Sequence, residues 1–439
     1  MSEAPDRAMV TALLRRHVDE RAECTAVTRA PVGNSQETWF VDVAGLEAPL
    51  SLVLRRTAAG GTIEWTDRAA EVEVLAATAA GGLPVPKVWW WEPDGGALDR
   101  AYVVMDRAPG RPPDLRQADV RTELALDLGI WLARLHRSVV IPAGLQPTRP
   151  TTTASREQVE LWTERSERSG LAPAIASALC GWLAANVPDD GTDAVLVWGD
   201  PGPHNVLTDP TGRITALLDW ELAHAGHPLF DVGAARWSCL GHLDRDALTT
   251  AYEQEAGVEI DRRTLGWFEV LACVSRSVML FDGVRAAIAG RAHDPNVVGL
   301  AAAMVPANML RAAAIAWGIS SADGVAGADA ADGAERHGEL GWGASRDQRD
   351  SVLARFLTDD VLATVTDARV RRGLKVAAAL LDPQDGAPPP VPADHRSWYR
   401  RELTGTNTDA ARRDLVADMV LARHRHAALV DLYGPTAAV

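Results

Sequence analysis

Residues 197–233 read VWGDPGPHNVLTDPTGRITALLDWELAHAGHPLFDVG, and this stretch decides how the rest of the chain is read. Asp200 and Asn205 stand five positions apart. A β-hairpin follows, turning at Pro210-Thr211-Gly212, and Asp219 sits at the end of its apolar strand, Ile214 to Leu218. A phosphoryl-transfer centre asks for these groups. One carboxylate orients a hydroxyl and accepts its proton, while an amide and a second carboxylate hold Mg²⁺ on the nucleotide phosphates.

The Asp-to-Asn spacing is that of the protein-kinase catalytic loop. The whole block resembles the motif of the aminoglycoside phosphotransferase and choline kinase superfamily. That motif runs His-Gly-Asp, four residues, Asn, then Ile-Asp-Trp-Glu, then Gly-Asp-Pro and an Asp. This chain has Trp198-Gly199-Asp200, Asn205, Leu218-Asp219-Trp220-Glu221, Gly226-His227-Pro228 and Asp231. It is particularly similar to the branch related to the kinase-like domain fused to some acyl-CoA dehydrogenases. Two positions depart from the pattern: Trp198 stands where a His is usual, and His227 where an Asp is usual. The three positions that carry the chemistry are intact.

Bulk properties set limits. The 439 residues suffice for two or three domains, and 47% hydrophobic content supports sizeable cores. A net charge of −15 argues against a general nucleic-acid binder, because phosphate contacts need a basic surface. Cys24, Cys180, Cys239 and Cys273 are scattered, with no CxxC pair, which points to a reducing cytoplasm. The N-terminus MSEAPDRAMV lacks a basic-then-apolar signal. The longest apolar stretch, Leu300 to Ile319, is broken by Pro306, Asn308 and Arg311 and reads as a core helix, so no membrane is expected as a partner. Fifteen Trp outnumber Phe and Tyr together, enough to fill cores and still line an apolar pocket, though composition assigns none of them.

Outward from the block, periodicity predicts a helix over 6–20, with Met9, Leu13 and Val18 on one side. Strands are expected at 26–32, 38–43, 50–54, 88–91 and 101–106, and a helix at 67–80 is stopped by Leu83-Pro84-Val85-Pro86. This β-β-β-α-β-β order matches a kinase small lobe. After the Pro-rich connector 108–113 the chain reads as helical at 124–136, 155–167, 171–186, 244–256, 263–288 and 296–318. Residues 320–348 are rich in Ala, Gly and Asp without apolar periodicity, as in a linker or mobile loop. Residues 349–382 and 394–433 read as helices again.

The resemblance, which covers about residues 25–320, implies further roles. Arg55 ends the strand Leu52-Val53-Leu54-Arg55 and takes the place of the Lys that pairs the α- and β-phosphates. A guanidinium fork suits that task. Glu71 falls where the helix Glu that orients this cation is expected, while Glu73, two residues on, points elsewhere. Gly33, Asn34 and Ser35 occupy the nucleotide-covering loop. Met105 and Arg107 flank Asp106 at the lobe hinge, where backbone groups would hold adenine. No GxxxxGK[ST] pattern occurs, so a P-loop is not expected. His224 and His227, with no Cys nearby, fall short of the three or four ligands of a zinc site. His136 reads as a helix-end or core residue, and Asp231 as a structural acceptor for the catalytic-loop backbone. Glu221 could serve a metal-bound water or the acceptor.

The expected fold is α+β: a two-lobed protein-kinase-like fold. It would have a small β-rich N-lobe (1–107), a helical C-lobe (108–319), the linker (320–348) and a helical C-terminal extension (349–439). The expected function is Mg-ATP-dependent phosphorylation of a hydroxyl on a small molecule, with GTP open as the alternative donor. Asp200 would be catalytic, Asn205 and Asp219 would hold Mg²⁺, and Gly33, Asn34, Ser35, Arg55, Glu71, Met105 and Arg107 would bind the nucleotide. The rival reading is a non-catalytic, kinase-shaped nucleotide-binding or scaffold protein. The C-terminal helices carry apolar stripes that need cover, on the helical lobe or in a homodimer.

Overall fold

A computed structural model of the chain describes residues 5–30, 36–57, 67–145, 150–169, 174–239, 243–291 and 296–319, together with Arg412, Val416 and Met419. The chain divides into two compact units. The first comprises residues 1–149, 194–231 and 243–259; the second comprises residues 150–193, 232–242 and 260–439.

The first unit opens with α1 (Arg7–His17), capped by the Asp6 carboxylate, which accepts from the Ala8 N–H. Then come β1 (Glu23–Arg29), β2 (Gln36–Ala44), β3 (Leu50–Thr57), α2 (Arg68–Ala80), β4 (Val88–Glu92) and β5 (Tyr102–Asp106). The five strands form one antiparallel sheet in the order β1-β2-β3-β5-β4. Alternation along β3 sets the two faces. Leu52 and Leu54 are buried with Trp39, Val41, Val104 and Val10, Leu13 and Leu14 of α1 in one core. Each such side chain contributes about 1.5–3 kcal/mol when fully buried. Val53 and Arg55 fall on the opposite face and stay half-buried. The register sets Phe40 and Met105 beside Val53, and Thr38 beside Arg55, on that same face.

The remaining elements are α3 (Ala118–Ser138), α4 (Thr151–Ser169), α5 (Ala174–Ala185), β6 (Val195–Val197), β7 (Val206–Thr208), β8 (Ile214–Leu217), β9 (His224–Gly226), α6 (Leu229–Ser238), α7 (Arg245–Ala256), α8 (Arg262–Ile288) and α9 (Asn296–Trp317). In the first unit β7 and β8 form the expected hairpin, and β6 pairs with β9. The Leu217 N–H donates to the Pro84 carbonyl at 2.7 Å, fastening the hairpin to the segment that follows α2. Helices α3 and α7 approach closely at Gly129, where a Cβ would lie 2.3 Å from the Leu248 carbonyl oxygen.

In the second unit α8 and α9 pack together, with α4 and α5 against α8. The Trp267 indole N–H donates to the Leu183 carbonyl at 3.1 Å. Glu269 on α8 accepts from Arg236 of α6 and Arg311 of α9. Trp237 donates to Asn308 Oδ1 at 2.8 Å, tying α6 to α9. Both α8 and α9 are long and apolar enough to cross a membrane, yet most of each apolar window is buried inside the protein, as in core helices. Pro306 lies inside α9 without ending it.

Helix α6 has no counterpart among the expected elements. Leu229, Phe230, Asp231, Val232, Ala234 and Ala235 are all buried, so the segment shows no one-sided apolar period to read. The expected linker and the two C-terminal helices lie outside the described residues, apart from Arg412, Val416 and Met419. Those three are helical. The Arg412 guanidinium lies 5.3 Å from the Trp317 ring centroid, and Val416 and Met419 are buried.

Candidate active site

The catalytic loop begins where β6 ends. Gly199 has a φ of +90°, and a Cβ there would lie 2.3 Å from the Leu222 carbonyl oxygen, so both conformation and space require glycine. The buried Asp231 carboxylate takes the N–H groups of Trp198 at 2.7 Å and Gly199 at 2.8 Å. It also meets His136 Nε2 at 3.1 Å, and His136 Nδ1 meets the Tyr252 hydroxyl at 2.9 Å. Asp231 thus holds the loop backbone, as expected, and the buried His136 joins it to Tyr252. Trp198, in place of the usual His, directs its indole N–H at the carbonyls of Leu218 (3.0 Å) and Asp219 (3.1 Å) and stacks on Trp220. His227, in place of the usual Asp, accepts the Leu229 N–H on Nδ1 at 3.0 Å and so caps α6. Each departure from the motif fills its position with a working hydrogen bond.

Asp200 leads the loop. Its Oδ2 accepts from Asn205 Nδ2 at 3.0 Å and lies 3.2 Å from His204 Nε2. The same amide nitrogen donates to the Asp200 carbonyl at 3.0 Å. Both amide hydrogens of Asn205 thereby point at Asp200, leaving its Oδ1 as an acceptor. The Leu218 N–H donates to the Asn205 carbonyl at 2.8 Å, which brings Asp219 alongside. Asp219 sits in the left-handed region at φ +60°, uncommon for a residue other than glycine.

Arg55 joins this loop to α2. Its Nη1 donates to Glu71 Oε1 at 2.8 Å and its Nη2 to Asp219 Oδ1 at 3.0 Å. Burial alone would lower the guanidinium pKa, but Glu71, Asp219 and Glu221 outweigh it and hold Arg55 well above its ordinary value. Burial pushes the Asp219 carboxyl up to about 6; Glu221 and Glu71 add to the shift and Arg55 opposes it. Hydrogen bonds thus join Asp200 to Asn205, and Arg55 to both Asp219 and Glu71, while the Leu218 N–H on the Asn205 carbonyl ties the two groups through the backbone.

Two residues that sequence reasoning passed over complete the cluster. Arg68 Nη1 donates to both Glu71 Oε2 (3.1 Å) and Glu221 Oε2 (2.7 Å). The buried Gln36 amide lies 3.4 Å from the same two oxygens. Turned over, its oxygen accepts from Arg55 Nη2 at 3.0 Å and from Arg68 Nη1. The available signal for Arg68 was its place three residues before Glu71 on one helix face. Gln36 offered none beyond opening β2.

The remaining expected residues divide. Gly33, Asn34 and Ser35 lie outside the described residues. Met105 is buried in β5 and shares the half-open sheet face of Val53 and Phe40. The Arg107 guanidinium lies 4.2 Å from the Phe40 ring centroid, and its backbone N–H donates to the Ser51 carbonyl at 3.1 Å. The Asp106 N–H donates to the Lys87 carbonyl. The N–H groups of Asp106 and Arg107 are therefore taken by neighbouring backbone carbonyls. A base would use carbonyls of this segment or N–H groups beyond it.

The donor set suits Mg²⁺ on a nucleotide. Among the described residues no three His, Cys, Asp or Glu side chains gather as a metal cage. Asn205 Oδ1 and the second carboxylate oxygen of Asp219 offer two hard oxygens. Mg²⁺ takes few protein ligands and fills its octahedron with water and phosphate oxygens. Arg55 beside them matches the phosphates in charge and geometry.

The model of the APH, or phosphotransferase enzyme, family matches residues 26–268, more than half of the chain. The chain belongs to the phosphotransferase enzyme family. Acyl-CoA dehydrogenase family member 11 of Gallus gallus is 30% identical over 224 residues, 49% of this chain and 28% of that protein. The Rattus norvegicus protein of the same name is 29% identical over 242 residues, 52% of this chain and 30% of its own. The matched segment therefore spans under a third of these curated relatives. A Ralstonia eutropha protein named for the aminoglycoside phosphotransferases superposes with a TM-score of 0.56 at 23% identity, covering 71% of this chain and 98% of that one. LicA in complex with AMP superposes with a TM-score of 0.50 at 14% identity, covering 70% and 98%. At these identities the likeness shows the fold: an N-terminal antiparallel sheet with a mostly helical remainder.

Proposed function

We propose that this phosphotransferase-family chain transfers the γ-phosphoryl group of Mg-ATP to a hydroxyl of a small molecule. The observation that carries the reading is the gathering, within one compact unit, of the Asp200–Asn205 pair and the Asp219–Arg55–Glu71 set, joined by the Leu218 N–H on the Asn205 carbonyl. Asp200 orients the acceptor hydroxyl and takes its proton as the new O–P bond forms. Asn205 Oδ1 and Asp219 hold the metal, which when bound neutralises charge on the phosphates. Arg55, oriented by Glu71, draws the α- and β-phosphates into line. Little covalent chemistry falls to the protein; positioning and preorganised charge carry the rate. Phe40, Val53 and Met105 give the base an apolar bed on the half-open sheet face. Four buried cysteines, none of them in a disulfide, suit a reducing cytoplasm.

The acceptor classes that follow from the family and its dehydrogenase-linked relatives are amino-sugars, amino alcohols such as choline, macrolides and hydroxyacyl compounds. The test is ATP and GTP consumption by the full chain with Mg²⁺ across these four classes. Turnover dependent on one class supports the reading. Tight Mg-ATP binding without turnover on any of them favours the rival, a kinase-shaped nucleotide-binding protein. Absence of nucleotide binding rejects both.

A further inference from the structure

The phosphate-facing cluster contains an arm that the reaction as described above leaves unused. Arg68 occupies the first position of α2, next to the Asp67 cap. Its Nη1 bridges Glu71 Oε2 at 3.1 Å and Glu221 Oε2 at 2.7 Å. The side chains of Arg68, Glu71 and Glu221 are 13%, 3% and 5% exposed, so the bridge is largely shielded from water. Glu221 lies two residues beyond Asp219. With Arg55 holding Glu71 and Asp219, the contacts close into a ring: Asp219, Arg55, Glu71, Arg68, Glu221 and back through Trp220. The ring fixes both carboxylate oxygens of Glu71, one by each arginine.

Resting on the nucleotide-site reading above, we propose that Arg68 is a positioning residue for the phosphates. By tying Glu71 and Glu221 together it keeps α2 docked on the Asp219 segment, so that Arg55 is aimed before the nucleotide arrives. A carboxylate held by one cation alone can rotate about its terminal torsion; held at both oxygens it cannot, and Arg55 inherits that order. A single nitrogen makes both contacts, so a lysine ammonium, with three donors on one atom, can replace it. Were the arginine instead to grip phosphate through its fork, lysine would keep the charge but lose the bidentate geometry and bind more weakly.

The test measures binding of Mg-ATP and of adenosine, which lacks phosphates, to the full chain by calorimetry. Arg68→Gln and Glu221→Gln should each weaken Mg-ATP about tenfold, the scale of one charge-assisted hydrogen bond. The double variant should be little worse than either single one, as expected for partners in one contact. Adenosine affinity should stay at the wild-type value, a result that loosening of the whole sheet would not give. Arg68→Lys should bind Mg-ATP within about threefold of wild type, because the bridging nitrogen is kept. Unchanged Mg-ATP affinity in Arg68→Gln, or equal weakening of adenosine, overturns the inference. So does a lysine variant as weak as the glutamine variant. If the wild-type chain binds neither ligand, the nucleotide-site reading fails and takes the inference with it. If the wild type binds both and only the variants behave otherwise than expected, the reading stands and the inference alone falls.

Discussion

Asp219 and Asp200 are both carboxylates of one small cluster, yet their hydrogen-bond partners differ. Asp219 shares Arg55 with Glu71, sits near Glu221, and is held in a left-handed backbone conformation that fixes where its oxygens point. Asp219→Ala should abolish the Mg²⁺-dependent gain in nucleotide affinity. Calorimetry with and without Mg²⁺ checks this, and wild-type Mg-ATP binding in the variant would refute the metal role. Asp200 is held by Asn205 within the loop. Asp200→Asn should lower kcat by about 10²–10⁴-fold, the usual contribution of a positioned base, with nucleotide affinity nearly unchanged. A near-normal kcat with a turned-over acceptor would remove Asp200 from the reaction. These two carboxylates were legible as candidates in the block 197–233 because spacing along one short segment constrains geometry. Arg68 and Gln36 were not, because their partner Glu221 lies far away in sequence.

Between elements, the catalytic loop and the hairpin are joined by backbone carbonyls that no motif spells out. The Trp198 indole reaches Leu218 and Asp219, and the Asn205 carbonyl takes the Leu218 N–H. Trp198→Phe keeps most of the buried ring and leaves two carbonyls without their donor. It should cost about 1–3 kcal/mol in urea unfolding, the penalty of unsatisfied buried acceptors. Mg-ATP affinity should fall with it, because the Asp219 backbone is no longer held; unchanged affinity would show that the indole only packs. Helices α3 and α7 meet at Gly129, where backbone approaches the space a Cβ would occupy. Gly129→Ala should destabilise the fold by about 1–3 kcal/mol through overpacking, despite alanine's better helix propensity. A rise in Tm would mean the helices shift apart without strain. Most helices and strands were readable from period and breakers. Helix α6 was not, since burial on every side erases the amphipathic signal.

For the whole molecule, the cluster of Asp200, Asn205, Asp219, Arg55 and Glu71 lies within the first unit, and the three described C-terminal residues belong to the second. There Arg412 stacks over Trp317 at the end of α9, with Val416 and Met419 buried. Truncation after residue 345 should therefore uncover apolar surface on the second unit. Solubility and Tm should fall, while Mg-ATP affinity stays near that of the full chain. A truncated protein as soluble and stable as the intact one would mean the C-terminal segment is an independent tail.

Local order came from the chain itself. Asp67 before α2, the proline pair after it, the turn at Pro210-Thr211-Gly212 and the alternation of Leu52, Val53, Leu54 and Arg55 each act within a few residues, where backbone sterics and side-chain period leave few choices. The Asp200-Asn205-Asp219 set was likewise readable because one loop and one hairpin carry it. Only tertiary structure could assign the rest. Arg55 acquires its character from Glu71, Asp219 and Glu221, and Glu71 from two arginines on different elements. A charge buried among distant partners takes its strength and direction from the low-dielectric space they share, and that space exists only once the sheet, α2 and the hairpin have packed.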